Sequence, residues 1–139
     1  MKTQHKKLLA LLFTILALIL EFIPYGVRMN WMTADPDEVR VTWHSYFSVL
    51  PFGYGDIFPL CTSALTILLL ILTIACLRTD EGGCFPVVLS AAAGIASILA
   101  LGMQVFLLGY ISPLGLGITA LLISAFFLNF KTNKEQNHG

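Results

Sequence analysis

The chain has 139 residues, of which 57% are apolar and only 12% are charged. A soluble domain carries about 25% charged residues, so eight acidic and eight basic side chains are too few to cover a water-exposed surface. The formal net charge is zero, which excludes the basic surface that nucleic-acid binding requires. The composition therefore predicts a single integral membrane domain over residues 1–139, with the lipid bilayer as its solvent.

Four apolar stretches are long enough to cross a bilayer as helices. The first follows Lys6 and Lys7, and because the residues around Pro24 contain no small-residue cleavage site, we interpret it as an uncleaved signal anchor. The second has 21 residues, which reach about 32 Å at about 1.5 Å per residue. Asp56 and Ser112 are predicted to cap the second and the fourth helix. The predicted spans cover residues 8–24, 57–77, 85–108 and 112–130.

The positions of lysine and arginine predict the orientation of the helices. Six of the eight basic residues fall in segments on the same side as the N-terminus, namely Lys2, Lys6, Lys7, Arg78, Lys131 and Lys134. The first outer loop holds the other two, Arg28 and Arg40. Because basic residues accumulate on the cytoplasmic side, the chain is predicted to lie in the cell membrane with both termini in the cytoplasm.

Residues 25–56 form the first outer loop, and its first half predicts a β-hairpin. The runs from Val27 to Met32 and from Val39 to Trp43 are rich in β-branched and aromatic residues, and the segment between them, TADPDE, is a strong turn signal. Since an isolated hairpin is only marginally stable, we expect it to pack on the helix ends or on the rest of the loop. The predicted fold is an all-α integral membrane bundle of four transmembrane helices, with a small extracellular β-hairpin in the first outer loop.

Aromatic side chains are dense in this loop, and after the hairpin they alternate with glycine and proline. Such a segment is typical of chain that lies at the level of the lipid headgroups, and Tyr25 and Tyr110 fit the same interfacial belt. The alternative is a recognition surface for a lipid, a peptide or another membrane protein. The residues predicted to serve either role are Trp31, Trp43, Tyr46, Phe47, Phe52 and Tyr54.

The pattern of Tyr46-Phe47, then PFGY over residues 51–54, then Phe58-Pro59 resembles small uncharacterised four-span bacterial membrane proteins. The resemblance covers the middle third of the chain and implies a four-span fold without an attached activity. The layout of four spans with a long, strand-containing first outer loop is also similar to that of the claudin-like proteins. The tryptophan and the paired cysteines of the claudin outer-loop signature are absent, so this resemblance implies architecture only.

Of the charged residues, Glu21 has the predicted position with the highest free-energy cost of burial. It lies about 20 Å along the first helix from Leu8, in the outer part of the span, where a carboxylate is by default a functional candidate. The small multidrug exporters are also four-span chains with one essential glutamate in the first helix, and this resemblance implies a proton-coupled transporter that assembles as a dimer around Glu21. Their glutamate lies near mid-membrane and they lack a long outer loop. The competing interpretation is therefore an interfacial carboxylate that reaches water or pairs with Arg28.

Small and hydroxyl-bearing residues predict how the helices pack. The third span is dense in alanine, glycine and serine, so we expect it to be central, with Ala92, Ala96 and Ala100 on its contact face and Gly94 and Gly102 nearby. The small residues predicted to meet it from the fourth span are Gly115, Gly117, Ala120 and Ser124. Hydrogen bonds between helices are expected from Gln104, Ser97, Thr62, Ser63 and Thr66.

Residue patterns for catalysis, metal binding and cofactor binding are absent from the sequence. Cys61, Cys76 and Cys84 include no C-x-x-C pair and are interpreted as small apolar fillers. His44 stands alone, and the acidic residues between 35 and 38 are interpreted as a solvated hairpin tip. The sequence thus predicts a small, non-enzymatic multi-pass membrane protein without cofactor or metal, whose outer loop contacts a partner or the membrane surface. A proton-coupled transporter is the alternative, and the oligomeric state stays open.

Overall fold

The computed structural model describes residues 2–48, 57–79 and 84–138. Within these ranges the chain forms four helices and one two-stranded antiparallel sheet. The elements in chain order are α1 (Lys2–Phe22), β1 (Val27–Met32), β2 (Val39–His44), α2 (Phe58–Thr79), α3 (Phe85–Leu108) and α4 (Pro113–Asn137). The predicted combination of helices with a single small hairpin is confirmed for the described residues.

Three of these helices, α2, α3 and α4, are long and apolar enough to cross a membrane. The first helix carries Lys6, Lys7 and Glu21 within its length. Its assignment as a fourth span therefore stays a prediction.

The helices place large apolar side chains on the outside of the molecule and small or polar side chains inside. Ile71 on α2 is 60% exposed and Phe127 on α4 is 62% exposed, whereas Thr14, Thr66 and Ser97 are fully buried. A protein folded in water shows the opposite distribution, because burying large apolar side chains is what stabilises it. The observed distribution is the one expected of helices whose outer surface is solvated by lipid.

The ends of the helices follow local signals in the sequence. The bounds predicted for α3 are confirmed, and its C-terminus closes at Gly109, which has a φ of 60° and donates its N–H to Val105 O. The predicted cap of α4 is also confirmed, because Ser112 Oγ accepts the N–H of Gly115 at 3.2 Å. This helix continues beyond Phe130 to Asn137. The predicted cap of α2, Asp56, lies outside the described residues.

The first helix starts at Lys2, earlier than the predicted span, and reaches the C-terminal end of α4. There the ammonium of Lys6 contacts the carboxylate of Glu135, so the two extensions lie side by side. Around the bundle, α1 packs on α2 and α4, and α3 packs on the same two helices. The prediction that α3 is the central helix is therefore wrong, since each helix has two helical neighbours.

The contact face of α3 differs in part from the predicted one. Ala96 and Ala100 are buried as predicted, but the buried stripe runs through Ala93 rather than Ala92, and Gly102 is exposed. On α4, the predicted small residue Ala120 is exposed, and the nearest side chain to Gly117 is Leu20 of α1 rather than a residue of α3. Small residues lie on several sides of α3, so its composition alone does not predict which side packs against the neighbouring helices.

The hairpin packs on the outer end of the bundle, as expected. Its strands pair from Val27 opposite His44 to Met32 opposite Val39, and β1 contacts α3. Val27 and Met29, two residues apart on β1, turn their side chains to the same face and are buried. The turn is closed by the hydroxyl of Thr33, which donates to Glu38 O at 2.6 Å. The base of the hairpin is therefore fixed to the helices, while its tip at Met32 and Val39 is exposed.

Candidate functional site

Glu21, in the last turn of α1, lies inside the molecule with its side chain fully buried. The hydroxyl of Thr66 on α2 donates to Glu21 Oε1 at 2.8 Å and shares its hydrogen with Thr62 O, also at 2.8 Å. The second carboxylate oxygen, Oε2, is buried and accepts no hydrogen bond within the described residues. The interpretation of Glu21 as an interfacial carboxylate that reaches water is therefore wrong.

The predicted pairing of Glu21 with Arg28 is also not observed. Within the part of the chain that the structure describes, Lys6 and Glu135 form the single ion pair. Arg28 instead lies over the ring of Tyr110, with Cζ at 5.2 Å from the ring centroid. The carboxyl group of Glu21 is thus held by one hydroxyl and keeps an oxygen that can bind a proton or a cation.

The other hydroxyls near Glu21 on α2 are used within their own helix. Thr62 donates to Phe58 O at 2.8 Å, and Ser63 donates to Leu60 O at 2.9 Å. Both side chains are buried. Of the three hydroxyls predicted to bond between helices in this region, Thr66 is the one that does so.

Tyr46 links the outer loop directly to the Glu21 region. Its backbone N–H donates to Glu21 O at 3.1 Å, and its side chain is fully buried. The ring packs against Gly26, and its hydroxyl lies beside Gly115, where an added Cβ would be only 3.0 Å away. The role predicted for Tyr46, an interfacial anchor or a recognition residue, stays a prediction, and the structure shows its side chain enclosed by the rest of the molecule. Gly26 and Gly115 leave the space that the ring of Tyr46 occupies. Because these glycines are far apart in the sequence, the local pattern of aromatic residues does not reveal the contact.

Trp43 and Phe47 hold the loop against the helix ends. The ring of Trp43 lies between Tyr25, at 6.2 Å between centroids, and Tyr110, at 5.5 Å in an edge-on arrangement. Phe47 stacks on Phe22 at 4.4 Å. These geometries are the favourable ones for aromatic pairs. This aromatic cluster lies where the two outer connections meet, as an interfacial belt would.

Buried hydrogen bonds join the loop to α3 and α4. Gln104 Nε2 on α3 donates to Gly26 O at 3.3 Å, so its predicted bond to another helix is replaced by one to the loop. Ser97 and Thr119 connect α3 with α4, with their hydroxyl oxygens 2.6 Å apart. Because Thr119 donates its hydrogen to Gly115 O at 2.8 Å, Ser97 is the donor of the bond between the two helices.

Polar side chains form a chain on the same face of the hairpin as Val27 and Met29. Trp31 follows Met29 by two residues, and cross-strand pairing sets Thr42 opposite Met29 and His44 opposite Val27. Trp31 Nε1 donates to Thr42 Oγ1 at 2.7 Å, and Thr42 Oγ1 lies 3.0 Å from His44 Nε2. Ser48 Oγ lies 3.5 Å from the other ring nitrogen, Nδ1. His44, which stands alone in the sequence pattern, is therefore held in a fixed orientation. These contacts were not predicted from the sequence, because they depend on which residues pair across the two strands.

These side chains line a shallow concavity of about 420 Å³, which we call the hairpin pocket. Arg40 pairs with Trp31 across the strands, and within the described residues its guanidinium has no carboxylate partner. Met32, at the edge of the pocket, is 99% exposed. The residues that line the hairpin pocket are Trp31, Met32, Thr33, Arg40, Thr42 and His44.

Two of the predicted loop residues, Phe52 and Tyr54, lie outside the described residues. Across residues 2–48, 57–79 and 84–138, no three histidine, cysteine or acidic side chains are grouped to hold a metal ion. Cys61, Cys76 and Cys84 are free thiols.

Comparison of the chain with protein families, with curated proteins and with solved structures finds no match in any of the three.

Proposed function

We propose that this protein is a non-enzymatic, four-span protein of the cell membrane that binds another membrane protein through its outer hairpin. The observation that carries the proposal is that the hairpin pocket lies on the same face of the hairpin as the buried side chains of β1. The base of this face is fixed by the buried side chains of Val27 and Met29, and the loop that follows is fixed by Tyr46. Toward the tip, the same face presents the hairpin pocket on a support that does not need to fold on binding, which lowers the entropic cost of association.

The chemistry of the hairpin pocket suits a protein partner. Tryptophan and arginine are the residues most enriched at the energetic centre of protein interfaces, and Trp31 and Arg40 lie side by side here. His44 and Thr42 add hydrogen-bonding groups, and Met32 adds an exposed, adaptable apolar side chain. A partner that offers a carboxylate to Arg40 and an apolar group to Trp31 would match this surface.

The topology supports an outer location for the hairpin. With α1 counted as the first span, the four helices bring both chain ends to one side, together with six of the eight basic residues. The hairpin then lies on the opposite side, which carries Arg28 and Arg40. This distribution supports a cytoplasmic location of both termini.

Photo-crosslinking tests the partner proposal. A photoreactive amino acid in place of Met32 is expected to capture one discrete membrane protein in intact cells, and Arg40→Ala should abolish that adduct by removing the charged group of the pocket. Glu38→Ala, an exposed charge change in the adjoining turn, is the matched control and should leave the adduct intact. Adducts with lipid alone, or an adduct that persists in Arg40→Ala, would reject the proposal.

A proton-coupled transporter, assembled as a dimer around Glu21, is the second candidate. The observation in its favour is the full burial of Glu21 with one carboxylate oxygen not hydrogen-bonded among the described residues. In proteoliposomes with an imposed pH gradient, Glu21→Gln should abolish pH-dependent substrate movement, while Glu38→Gln should leave it unchanged. Transport that survives in Glu21→Gln would eliminate this candidate. The same variant should leave the Met32 adduct intact if the hairpin binds a partner.

A further inference from the structure

A group of polar side chains without partners lies at the end of the bundle opposite the hairpin. Lys7 on α1 is only 8% exposed, and within the described residues its ammonium has neither an ion-pair nor a hydrogen-bond partner. The neighbouring Lys6 is occupied by Glu135. The stem of Lys7 is packed against the helices, whereas its ammonium is not enclosed and reaches the surface at this end of the bundle.

Three side chains of α4 at the same end of the bundle have enclosed polar atoms without partners in the described residues, namely Asn129, Thr132 and Gln136. Gln136 has an acceptor left over, its Oε1, whereas Asn129 and Thr132 have donors. Asn129 is 7% exposed and Thr132 is 6% exposed. Asn129 Nδ2 and Thr132 Oγ1 are inaccessible and form no hydrogen bond within the described residues. Unsatisfied buried polar groups are rare in native proteins, and a bound molecule is one of the recognised explanations.

The packing of α1 on α4 brings Lys7, Asn129 and Thr132 within about one helical turn of one another along the bundle axis. The helices run antiparallel, with Lys6 against Glu135 at one end and Leu20 against Gly117 at the other. This register aligns Lys7 with the turn that contains Thr132, and Asn129 lies about one turn deeper. All three side chains are on the buried faces of their helices.

We infer that Lys7, Asn129 and Thr132 bind the phosphate of an anionic phospholipid at this end of the bundle. An ammonium, an amide N–H and a hydroxyl can all donate hydrogen bonds, which suits the oxygens of a phosphodiester, whereas the lysine would repel a metal cation. Lys131 lies exposed on the same end of α4 and adds positive charge. Basic pockets between helices at the cytoplasmic end are a known form of lipid headgroup site.

The surroundings of the site favour a lipid over free phosphate. On α1, Leu8 and Leu12 are about half exposed, and on α4 Phe127 and Phe130 are exposed to a similar degree. These side chains form an apolar outer surface next to the polar group, which acyl chains can cover. The assignment of this site to the inner leaflet rests on the orientation given in the proposed function. The inference that the site binds a lipid does not depend on what the hairpin binds.

Native mass spectrometry of the full chain tests the site. Delipidated protein in detergent is loaded with phosphatidylglycerol or with phosphatidylcholine, and the wild-type chain should retain the anionic lipid about tenfold more tightly. Lys7→Gln should remove this preference, whereas Lys134→Gln, which makes the same charge change at an exposed position, should keep it. Inorganic phosphate in a third arm should not displace the lipid at equal concentration.

A second variant removes donors without changing charge, in case Lys7→Gln does not fold. The double substitution Asn129→Leu, Thr132→Val should also reduce the preference for phosphatidylglycerol by about tenfold or more while thermal unfolding stays cooperative. Equal retention of both lipids by the wild-type chain would overturn the inference, as would equal losses in Lys7→Gln and Lys134→Gln. Displacement by inorganic phosphate would assign the site to free phosphate instead. None of these outcomes alters the Met32 crosslink, so the two proposals fail separately.

Discussion

Gly26 and Tyr46 form the contact that fixes the outer loop to the helices, and Gly26→Ala perturbs it directly. A Cβ added at Gly26 would lie 2.8 Å from Cδ1 and 2.9 Å from Cε1 of the Tyr46 ring. The ring is fully buried and cannot swing into solvent. The backbone at Gly26 is not in the left-handed region, so alanine is compatible with it and the ring is the obstacle.

The expected magnitude follows from overpacking. Forcing one extra methyl group into a packed site costs about 1–3 kcal/mol, and the reduced entropy of the unfolded chain returns about 0.4–1 kcal/mol. We expect Gly26→Ala to lower the free energy of unfolding by about 1–2 kcal/mol. In a Tyr46→Ala background the nearest remaining atom is His44 O at 3.9 Å, so the same substitution should be neutral or slightly stabilising.

The assay is a double-mutant cycle on unfolding in mixed detergent micelles, followed by the fluorescence of Trp31 and Trp43. The coupling between the two substitutions should be about 1–3 kcal/mol. Gly102→Ala is the control, because nothing lies within 4 Å of its added Cβ and alanine is the better helix former by about 0.5–1 kcal/mol. Additivity within about 0.5 kcal/mol would refute the proposed contact.

Three further substitutions test the helix ends and the contact between α3 and α4. Gly109→Ala should lower the free energy of unfolding by about 1–2 kcal/mol, because its φ of 60° is unfavourable for residues with a Cβ; an unchanged melting temperature would contradict this. Ser112→Ala should cost about 1 kcal/mol and speed hydrogen exchange at the Gly115 amide, and unaltered exchange would argue against the cap. Ser97→Ala should cost only about 0.6 kcal/mol, the usual value for a hydrogen bond between helices in lipid; detergent unfolding that shows a much larger loss would mean that Ser97 supports more than its bond to Thr119.

The features predicted correctly from sequence are those whose causes are local. The length of an apolar run and Ser112 before α4 mark helix ends within a few residues of chain. The β-branched runs and the TADPDE turn likewise predict the hairpin from neighbouring residues. Even the expectation that the hairpin leans on the bundle follows from a local fact, the weakness of two isolated strands.

The features that only the tertiary structure decided depend on residues far apart in the chain. Glu21 is buried because Thr66 approaches it from α2 and the segment at Tyr46 crosses its backbone, and Tyr46 is buried because Gly26 and Gly115 together leave room for its ring. Sequence alone does not fix the location of a polar or ionisable side chain in a membrane protein, since its burial costs less free energy when a partner is present and much more when none is. The partner is supplied by packing, so the position of such residues follows from the assembled helices and not from their own segment of sequence.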